Sequence, residues 1–208
     1  MRAVRKANID GSLAEVREQA AHCRDCPLWK NATQTVFGAG PVAARVVLVG
    51  EQPGDQEDLA GKPFVGPAGR LLDRALLDAA IDRKATYVTN AVKHFKFEPR
   101  GKRRIHKKPS ELEIGACHQW LERELALIRP ALIVALGATA ARAVFGRTTA
   151  IGKNRGRILA GAQAKHPVEA DLLVTVHPSF LLRVPDEDRD EAYAGFVADL
   201  KLIAPYVS

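Results

Sequence analysis

The chain has 208 residues, of which 47% are hydrophobic and 26% charged, a composition that excludes disordered, collagenous and disulfide-scaffold classes. At roughly 150 residues per domain, this length predicts a single domain over residues 1–208. Its 31 Lys and Arg residues exceed its 24 Asp and Glu residues by seven. No apolar run approaches the roughly 20 residues that span a bilayer, and the N-terminus lacks the apolar core of a signal peptide. We therefore expect a cytoplasmic protein without membrane contact.

Four short apolar runs predict strands at residues 46–50, 87–92, 131–137 and 171–177. They are rich in β-branched residues and apolar on both faces, as is typical of buried parallel strands. Helical patterns lie between and after them, at residues 69–80, 110–128, 138–145 and 187–203. Capping boxes at Ser12-x-x-Glu15 and Ser110-x-x-Glu113 indicate two helix starts. This alternation predicts an α/β fold, a three-layer sandwich around a central, mostly parallel four-stranded sheet.

Polar and glycine residues stand where the predicted strands end. Open parallel sheets bind ligands beyond the carboxyl ends of their strands, so these positions are candidate site residues. Alone, the segment Gly50-Glu-Gln-Pro-Gly54 is typical of a tight turn, and it is neither a Walker loop nor a GxGxxG fingerprint. Its place among the other strand ends favours an active site. The candidates are Glu51, Gln52, Gly54 and Asp55 after the first strand, Asn90 in the second, Gly137 after the third, and His177 with Ser179 after the fourth.

Three of the candidate side chains have a structural alternative. Asn90 lies in an apolar strand, where an unpaired amide costs about 1–3 kcal/mol, so either a neighbouring loop or a ligand such as a base edge should satisfy it. Phe64 lies in a glycine-rich loop and either packs in the core or stacks on a planar ligand. His177, at a strand end, is either structural or catalytic.

The excess positive charge is confined to residues 93–108, which hold eight basic residues and one acid, Glu98. The remaining 23 basic and 23 acidic residues balance. A basic element on a neutral body predicts contact with a polyanion such as nucleic acid, although a solvated face or a targeting signal gives the same pattern. His106 lies within this run. Neighbouring cations favour its neutral imidazole, which can act as a nucleophile.

The three cysteines point to a metal or redox site. Cys23 and Cys26 form a CxxC motif and Cys117 lies far along the chain, an odd count that argues against a secreted disulfide framework. A fourth ligand is needed, and His22 and His118 are the candidates by position. Zinc in a Cys₃His site and an iron–sulfur cluster fit equally well at this point. Three unrelated buried cysteines are the alternative, and the CxxC motif argues against it.

Several of these motifs together resemble the uracil-DNA glycosylase superfamily, in its iron–sulfur branch, and most closely the UdgX type, which bonds covalently to the abasic site that it makes. The similarity runs from about residue 23 to about residue 200. Residues 50–55 resemble the first motif, with Gln52 where the common branch has Ala. Residues 61–70 are similar to the uracil-stacking loop, Thr89-Asn90 to the base-reading strand, and residues 177–179 to the second catalytic motif. Residues 102–106, Lys-Arg-Arg-Ile-His, resemble the loop that distinguishes the UdgX type.

The resemblance implies a role for each motif in a reaction on uracil-containing DNA, preferably single-stranded. Phe64 would stack on uracil, Asn90 would read its edge, and His177 would donate to its oxygen. His106 would be the nucleophile, oriented by Glu51. The further implied roles are uracil contacts by Gln52 and Gly54, assistance by Asp55, substrate binding by Ser179, a DNA contact near the lesion by Arg183, and DNA binding by Lys102, Arg103 and Arg104.

The resemblance also implies a [4Fe–4S] cluster rather than zinc. Its ligands would be Cys23, Cys26, His94 and Cys117, with His94 standing where most of the branch has a fourth cysteine. We expect a monomer. Two other functions stay open: a glycosylase that turns over many times, and a non-catalytic, metal-stabilised module that binds single-stranded nucleic acid.

Overall fold

A five-stranded sheet forms the centre of the computed structural model, which describes residues 11–159 and 168–207. The sheet strands are β1 (Val46–Gly50), β2 (Thr86–Asn90), β5 (Leu132–Leu136), β6 (Ile158–Leu159) and β7 (Asp171–Thr175). Their order is β2-β1-β5-β7-β6, and every pairing is parallel except β6 with β7. The four predicted strands are confirmed. The predicted count of four is corrected to five, because β6 has only two residues, too few to give a hydrophobic pattern.

A separate antiparallel hairpin follows β2. It consists of β3 (Phe97–Arg100) and β4 (Arg103–His106), which pair Phe97 with His106 at the open end. Gly101, with a φ of +59°, makes the tight turn between them. The basic run that the sequence presents as a loop is therefore an ordered hairpin.

Nine helices are present in the described residues: α1 (Leu13–Ala21), α2 (Asp55–Ala60), α3 (Pro67–Asp78), α4 (Glu111–Ile128), α5 (Ala138–Phe145), α6 (Ile151–Asn154), α7 (Pro178–Leu181), α8 (Asp186–Lys201) and α9 (Ala204–Val207). The four predicted helical segments correspond to α3, α4, α5 and α8. Both predicted capping boxes are formed, at Ser12 and Ser110. The short helices α2, α6, α7 and α9 have too few residues to show a helical period.

Helices cover both faces of the sheet and make the predicted three layers. On one face, α1, α4 and α5 pack against side chains such as Val47 and Val49. On the other, α3 and α8 pack against Val46 and Leu48. Alternate residues of β1 thus enter opposite cores, which explains why this strand is apolar at every position. Among the described residues, no helix has both the length and the apolar character needed to cross a membrane.

The position of β1 determines where a ligand can bind. From β1 the chain passes to β2 on one side and to β5 and β7 on the other, so the strand order reverses beside β1. Open α/β sheets bind their ligands at such a point, beyond the carboxyl ends of the strands. The hairpin, α2 and α7 all lie at this end, because each follows a strand end or packs against the loop after β1.

Candidate active site and metal centre

Gly50 ends β1 at a point where only glycine fits. A Cβ atom built there would lie 2.3 Å from Asn90 Oδ1 and 2.6 Å from Phe64 Cζ, and real Cβ atoms do not approach other atoms so closely. The missing side chain allows the Asn90 amide and the Phe64 ring to meet at the end of the strand. The glycine that the sequence indicates as a turn residue is therefore required by the site around it.

Phe64 is held in an unusual backbone conformation. Its φ is +56°, a left-handed value that costs a bulky residue on the order of 1–3 kcal/mol and persists only where its surroundings enforce it. One enforcing group is Glu57, whose carboxylate accepts the backbone N–H groups of Gly54 and Gly66 at 3.1 and 2.7 Å. Glu57 thus ties the loop after β1 to the loop that carries Phe64. Sequence reasoning missed this buried carboxylate, although its place three residues after Gly54 is typical of a cap.

Asn90 lies at the end of β2 with 2% of its surface exposed. Within residues 11–159 and 168–207, no protein group hydrogen-bonds to its side-chain amide, which borders a cavity of about 360 Å³. Besides Asn90, the lining includes Phe64, Gln52, His106, His177 and Ser179. The structure therefore brings together most of the predicted substrate-binding residues, and it gives the buried amide of Asn90 a cavity to face instead of a structural partner.

His177 has a defined protonation pattern. Its Nδ1 accepts the backbone N–H of Ser179 at 3.1 Å, so in the neutral ring the proton is on Nε2. Burial, together with the nearby His106 and Arg183, lowers the pKa of His177 to about 4. At neutral pH this ring is therefore an uncharged donor whose Nε2–H group is available to a ligand.

Gln52 fastens the open end of the hairpin to the turn after β1. Its Oε1 accepts the N–H of Lys96 at 3.1 Å, and its Nε2 donates to the carbonyl of Lys107 at 3.0 Å. These backbone partners fix the orientation of the amide, so the atom that lies 2.9 Å from His106 Nε2 is a donor. His106 Nε2 is then the acceptor and carries the lone pair. The predicted contact of Gln52 with uracil stays a prediction, because its amide is engaged by the hairpin.

His106 lies at the base of the hairpin with half of its side chain exposed. Its Nε2 is 3.5 Å from Glu51 Oε1. Partial burial lowers the pKa of His106 below its ordinary value; the Glu51 carboxylate opposes this shift and Arg183 adds to it. The ring is therefore neutral at pH 7, with a lone pair beside a carboxylate.

The carboxylate of Glu51 is held from its other side. Thr139, in the first turn of α5, donates its hydroxyl to Glu51 Oε2. Sequence reasoning did not select Thr139, and the only signal was its position two residues after the strand-end glycine Gly137. The structure thus adds a residue to the candidate site.

Arg104 differs from the expectation that it contacts DNA. Its guanidinium donates to Asp55 Oδ1 at 2.5 Å and to the buried Asp58 Oδ2 at 2.6 Å. It also lies over the rings of Phe95 and Phe97, 5.5 and 5.1 Å from their centroids. These contacts favour a role in holding the hairpin against α2. They likewise give Asp55 a partner in the hairpin, and its assistance in catalysis stays a prediction.

Ion pairs engage half of the eight basic residues in the segment 93–108. Lys93 pairs with Glu124, and Lys96 pairs with Glu113. Arg104 pairs with both Asp55 and Asp58, and Lys107 pairs with Glu98. Of the other four, Arg100, Lys102 and Arg103 are exposed at the tip of the hairpin and Lys108 is exposed just after β4. No carboxylate of the described residues forms an ion pair with any of these four. The charge available to a polyanion is thus concentrated at this tip.

A second cavity of about 400 Å³ adjoins the first. The two share Gln52, His106, His177 and Ser179, so the two histidines lie where the cavities meet. Glu51, Thr139 and Arg183 line the second cavity. A ligand that enters both cavities therefore borders His106 and His177.

The three cysteines lie close together at the apolar core on the face of the sheet that α1, α4 and α5 cover. Cys23, Cys26 and Cys117 interact electrostatically and pack against the same apolar cluster. Two N–H groups point at their sulfurs: Trp120 Nε1 lies 3.2 Å from Cys23 Sγ, and the backbone nitrogen of Lys93 lies 3.1 Å from Cys117 Sγ. Such hydrogen bonds are typical of sulfurs that bind iron.

His94 has a buried ring nitrogen without a partner. Thr35 Oγ1 donates its only proton to the Ala20 carbonyl at 2.9 Å, so toward His94 Nε2, also at 2.9 Å, it acts as the acceptor. The proton of His94 is therefore on Nε2 and the lone pair is on Nδ1. That Nδ1 atom is buried and makes no hydrogen bond. A metal-binding histidine has this arrangement, with its second nitrogen donating to an outer partner, so the residues fit a bound metal group.

The two rival histidines are engaged elsewhere. His22 pairs with Glu18 and His118 with Glu122, each one turn away on the same stretch of chain. Across the described residues, no three His, Cys, Asp or Glu side chains are close enough together to hold one metal ion. A zinc site needs its ligands about 2.0–2.3 Å from one ion, whereas a cluster bonds each ligand to a different iron and accepts wider spacing. A cluster therefore does not need the close grouping of ligands that a single zinc ion requires.

Comparison with known proteins shows to which family the chain is similar. A protein-family model described as "Uracil DNA glycosylase superfamily" matches residues 37–201 of the chain. The chain is 40% identical to the Type-4 uracil-DNA glycosylase of Thermotoga maritima over 81% of its own length and 82% of that protein. It is 35% identical to the Type-4 uracil-DNA glycosylase of Archaeoglobus fulgidus, over 89% and 90% of the two chains. It is 31% identical to the Type-5 uracil-DNA glycosylase of Pyrobaculum aerophilum, over 80% and 75%.

Proposed function

The chain belongs to the uracil-DNA glycosylase superfamily, and from that premise we propose that it excises uracil from DNA and becomes bonded through His106 to C1′ of the abasic sugar. The observation that carries the covalent step is the state of His106: a neutral ring with its Nε2 lone pair 3.5 Å from a carboxylate, where the two cavities meet. A lone pair beside a negative charge suits a nucleophile that becomes positive as it reacts.

Binding requires the uridine to leave the base stack, because the glycosidic bond is inaccessible within it. The extruded uracil enters the cavity of about 360 Å³. The ring of Phe64 stacks on it, and the amide of Asn90 pairs with its edge. A buried amide without a protein partner loses on the order of 1–3 kcal/mol, so a base that satisfies both its donor and its acceptor is favoured over one that does not.

The leaving group is stabilised by His177. When the C1′–N1 bond breaks, its electron pair goes to uracil, and negative charge accumulates on N1 and the adjacent oxygen. The Nε2–H of His177 donates to that oxygen. Because its pKa is about 4, His177 is neutral at pH 7 and acts as a hydrogen-bond donor rather than as an acid.

The sugar is captured by His106. As the C1′–N1 bond breaks, the Nε2 lone pair of His106 forms a new bond to C1′, and the neutral ring becomes an imidazolium while uracil leaves as an anion. The charges therefore balance. The carboxylate of Glu51 stabilises the imidazolium, as a carboxylate partner does in hydrolytic triads. Since the bond that forms is not hydrolysed, one protein molecule reacts with one uracil.

The exposed cations at the hairpin tip, Arg100, Lys102 and Arg103, grip the DNA backbone. Ser179 and Arg183 contact it near the lesion. The pocket admits only an extruded base, and a single strand extrudes a base at lower cost than a duplex, which is why we propose a preference for single-stranded DNA.

A [4Fe–4S] cluster would be held by Cys23, Cys26 and Cys117 through sulfur and by His94 through Nδ1. It would supply cross-links between α1, β2 and α4 rather than redox chemistry, since its ligands are not among the residues that line the two cavities. Iron and sulfide in the purified protein test this assignment, and stoichiometric zinc would overturn it.

The function is tested by mixing the protein with a uracil-containing single-stranded oligonucleotide and separating the products under denaturing conditions. We expect a slowly migrating protein–DNA band, absent with a thymine oligonucleotide and weaker with duplex DNA. His106→Ser should abolish the band and leave some free abasic DNA, because water can occupy the vacated space. His118→Ser, a change of the same kind at a histidine that pairs with Glu122 outside the two cavities, should leave the band unchanged.

Each alternative predicts a different result. Abasic DNA in excess of the protein, with no band, indicates an enzyme that turns over. Reversible binding that is independent of uracil indicates a binding module. A band that persists in His106→Ser places the nucleophile elsewhere.

A further inference from the structure

Thr139 connects α5 to the carboxylate beside His106. Its side chain is buried, with 4% of the residue exposed, and its hydroxyl donates to Glu51 Oε2. The other oxygen, Glu51 Oε1, lies 3.5 Å from His106 Nε2. Each oxygen of the Glu51 carboxylate thus has its own partner. Oε1 lies toward His106, and Oε2 accepts the Thr139 hydroxyl.

The fold places this hydroxyl through a tight turn at the end of β5. Gly137 has a φ of +88°, and a Cβ atom there would lie 2.9 Å from His177 Cβ. Its N–H donates to the carbonyl of Thr175 at the end of β7. Because the turn is pinned to the neighbouring strand, the first turn of α5 is set beside the end of β1, from which Glu51 projects. Thr139 is β-branched, and such side chains have few rotamers in a helix.

A held carboxylate matters for the chemistry because a glutamate side chain has three rotatable bonds. Without a second partner, Glu51 could turn its charge toward Arg183 or into solvent. Misplacement of a group by about 1 Å is enough to cost roughly a hundredfold in rate. A neutral hydroxyl donor orients the carboxylate without cancelling its charge, which an ion pair would do.

We infer that Thr139 is a positioning residue that holds Glu51 against His106 during capture of the abasic sugar. This inference rests on the proposed function, and it concerns the rate of the bond-forming step rather than DNA binding. The hydroxyl of Thr139 is engaged by Glu51, so Thr139 acts through that carboxylate.

The test uses Thr139→Val, which keeps the shape of the side chain and removes the hydroxyl. At saturating uracil-containing single-stranded DNA, we expect adduct formation to slow by about 10- to 100-fold, with the dissociation constant for the same DNA changed less than twofold. Thr139→Ser, which restores the hydroxyl, should recover the rate to within about threefold. Thr148→Val, at an exposed threonine in the loop after α5, is the matched control and should behave as the wild type.

A double-mutant cycle with Glu51→Gln separates positioning from a general effect on the fold. If Thr139 acts through Glu51, adding Thr139→Val to the Glu51→Gln variant should slow adduct formation no further. A full additional loss in the double variant overturns the inference, as does a Thr139→Ser variant as slow as Thr139→Val. If Thr139→Val fails to fold, Thr139→Ala is put through the same cycle. Failure of the proposed function would already be visible in the wild type, which would form no adduct.

Discussion

The side-chain nitrogen of Gln52 donates to Nε2 of His106 across 2.9 Å, so the residue next to Glu51 holds the ring that Glu51 is proposed to assist. Gln52 also bonds to the backbone of Lys96 and Lys107, at the two ends of the hairpin. Gln52 thus hydrogen-bonds to the chain on both sides of the hairpin, and its contact with His106 leaves the lone pair of that ring on Nε2.

Gln52→Ala should therefore slow adduct formation by about 10- to 100-fold at saturating DNA, because the hairpin loses its anchor and His106 loses its position. The freed tip should also be cut faster by trypsin at Lys102 and Arg103. Gln19→Ala, at an exposed glutamine of α1, is the control for both measurements. Unchanged cleavage and rate would contradict the anchoring role.

The rate of adduct formation should depend on pH through His106. The neutral ring is the nucleophile, and its pKa is lowered, so the rate should be flat at neutral pH and fall about tenfold per unit below that pKa. Glu51 raises this pKa and Arg183 lowers it. Glu51→Gln should hence move the acid limb to lower pH and Arg183→Gln to higher pH, in single-turnover profiles. Shifts in the same direction would contradict the assignment.

A buried ion pair should make Glu124 important for stability. Its carboxylate accepts from Lys93 Nζ at 2.5 Å and from Tyr87 Oη at 2.8 Å, with neither Lys93 nor Glu124 exposed. Glu124→Leu leaves the lysine unpaired and should lower the free energy of unfolding by about 3–5 kcal/mol. The double variant Lys93→Met/Glu124→Leu should lose less of the free energy of unfolding, because both buried charges are gone. Urea unfolding measures the free energy of unfolding. Glu122→Leu, on the same helix, is the control and should change that free energy by no more than about 0.5 kcal/mol.

Thr35 should protect the metal centre. Its hydroxyl oxygen accepts from His94 Nε2 and so leaves the Nδ1 lone pair for the proposed cluster. Outer partners of this kind contribute about 10- to 100-fold to metal affinity. Thr35→Val should lose iron to a chelator faster than the wild type, as followed by iron content and visible absorbance, and Thr35→Ser should not. Equal loss from Thr35→Val and the wild type would indicate that His94 is not a ligand.

Neighbouring arginines of the hairpin should have separable effects. Arg103, at the exposed tip, is expected to contact a phosphate, so Arg103→Ala should reduce the slope of log affinity against log salt by about 0.7. Arg104 pairs with Asp55 and Asp58, so Arg104→Ala should slow adduct formation with little change in that slope. Affinity measured from low to high salt distinguishes them, and an equal slope change in both variants would contradict the division.

The sequence predicted a large part of this candidate site, because most of its residues lie in short contiguous motifs. Gly50 to Asp55, Phe64, Asn90 and His177 each stand at a strand end or in a glycine-rich loop, and a parallel sheet necessarily brings strand ends to one edge. The α/β class follows from the same local patterns. Hydrophobic periods of this kind depend only on neighbours in the chain, which is why they could be recognised without coordinates.

The tertiary structure alone decided which charges are free and which nitrogens carry protons. Eight basic residues gave the segment 93–108 a charge of +7, yet four of them pair with carboxylates that are mostly far away in sequence. Three of the remaining four are at the hairpin tip, so the available charge is concentrated there. The tautomers of His106, His177 and His94 depend on partners such as Gln52 and Thr35, and Thr139 meets Glu51 across 88 positions of chain. Such contacts are set by packing between distant segments, and no local pattern records them.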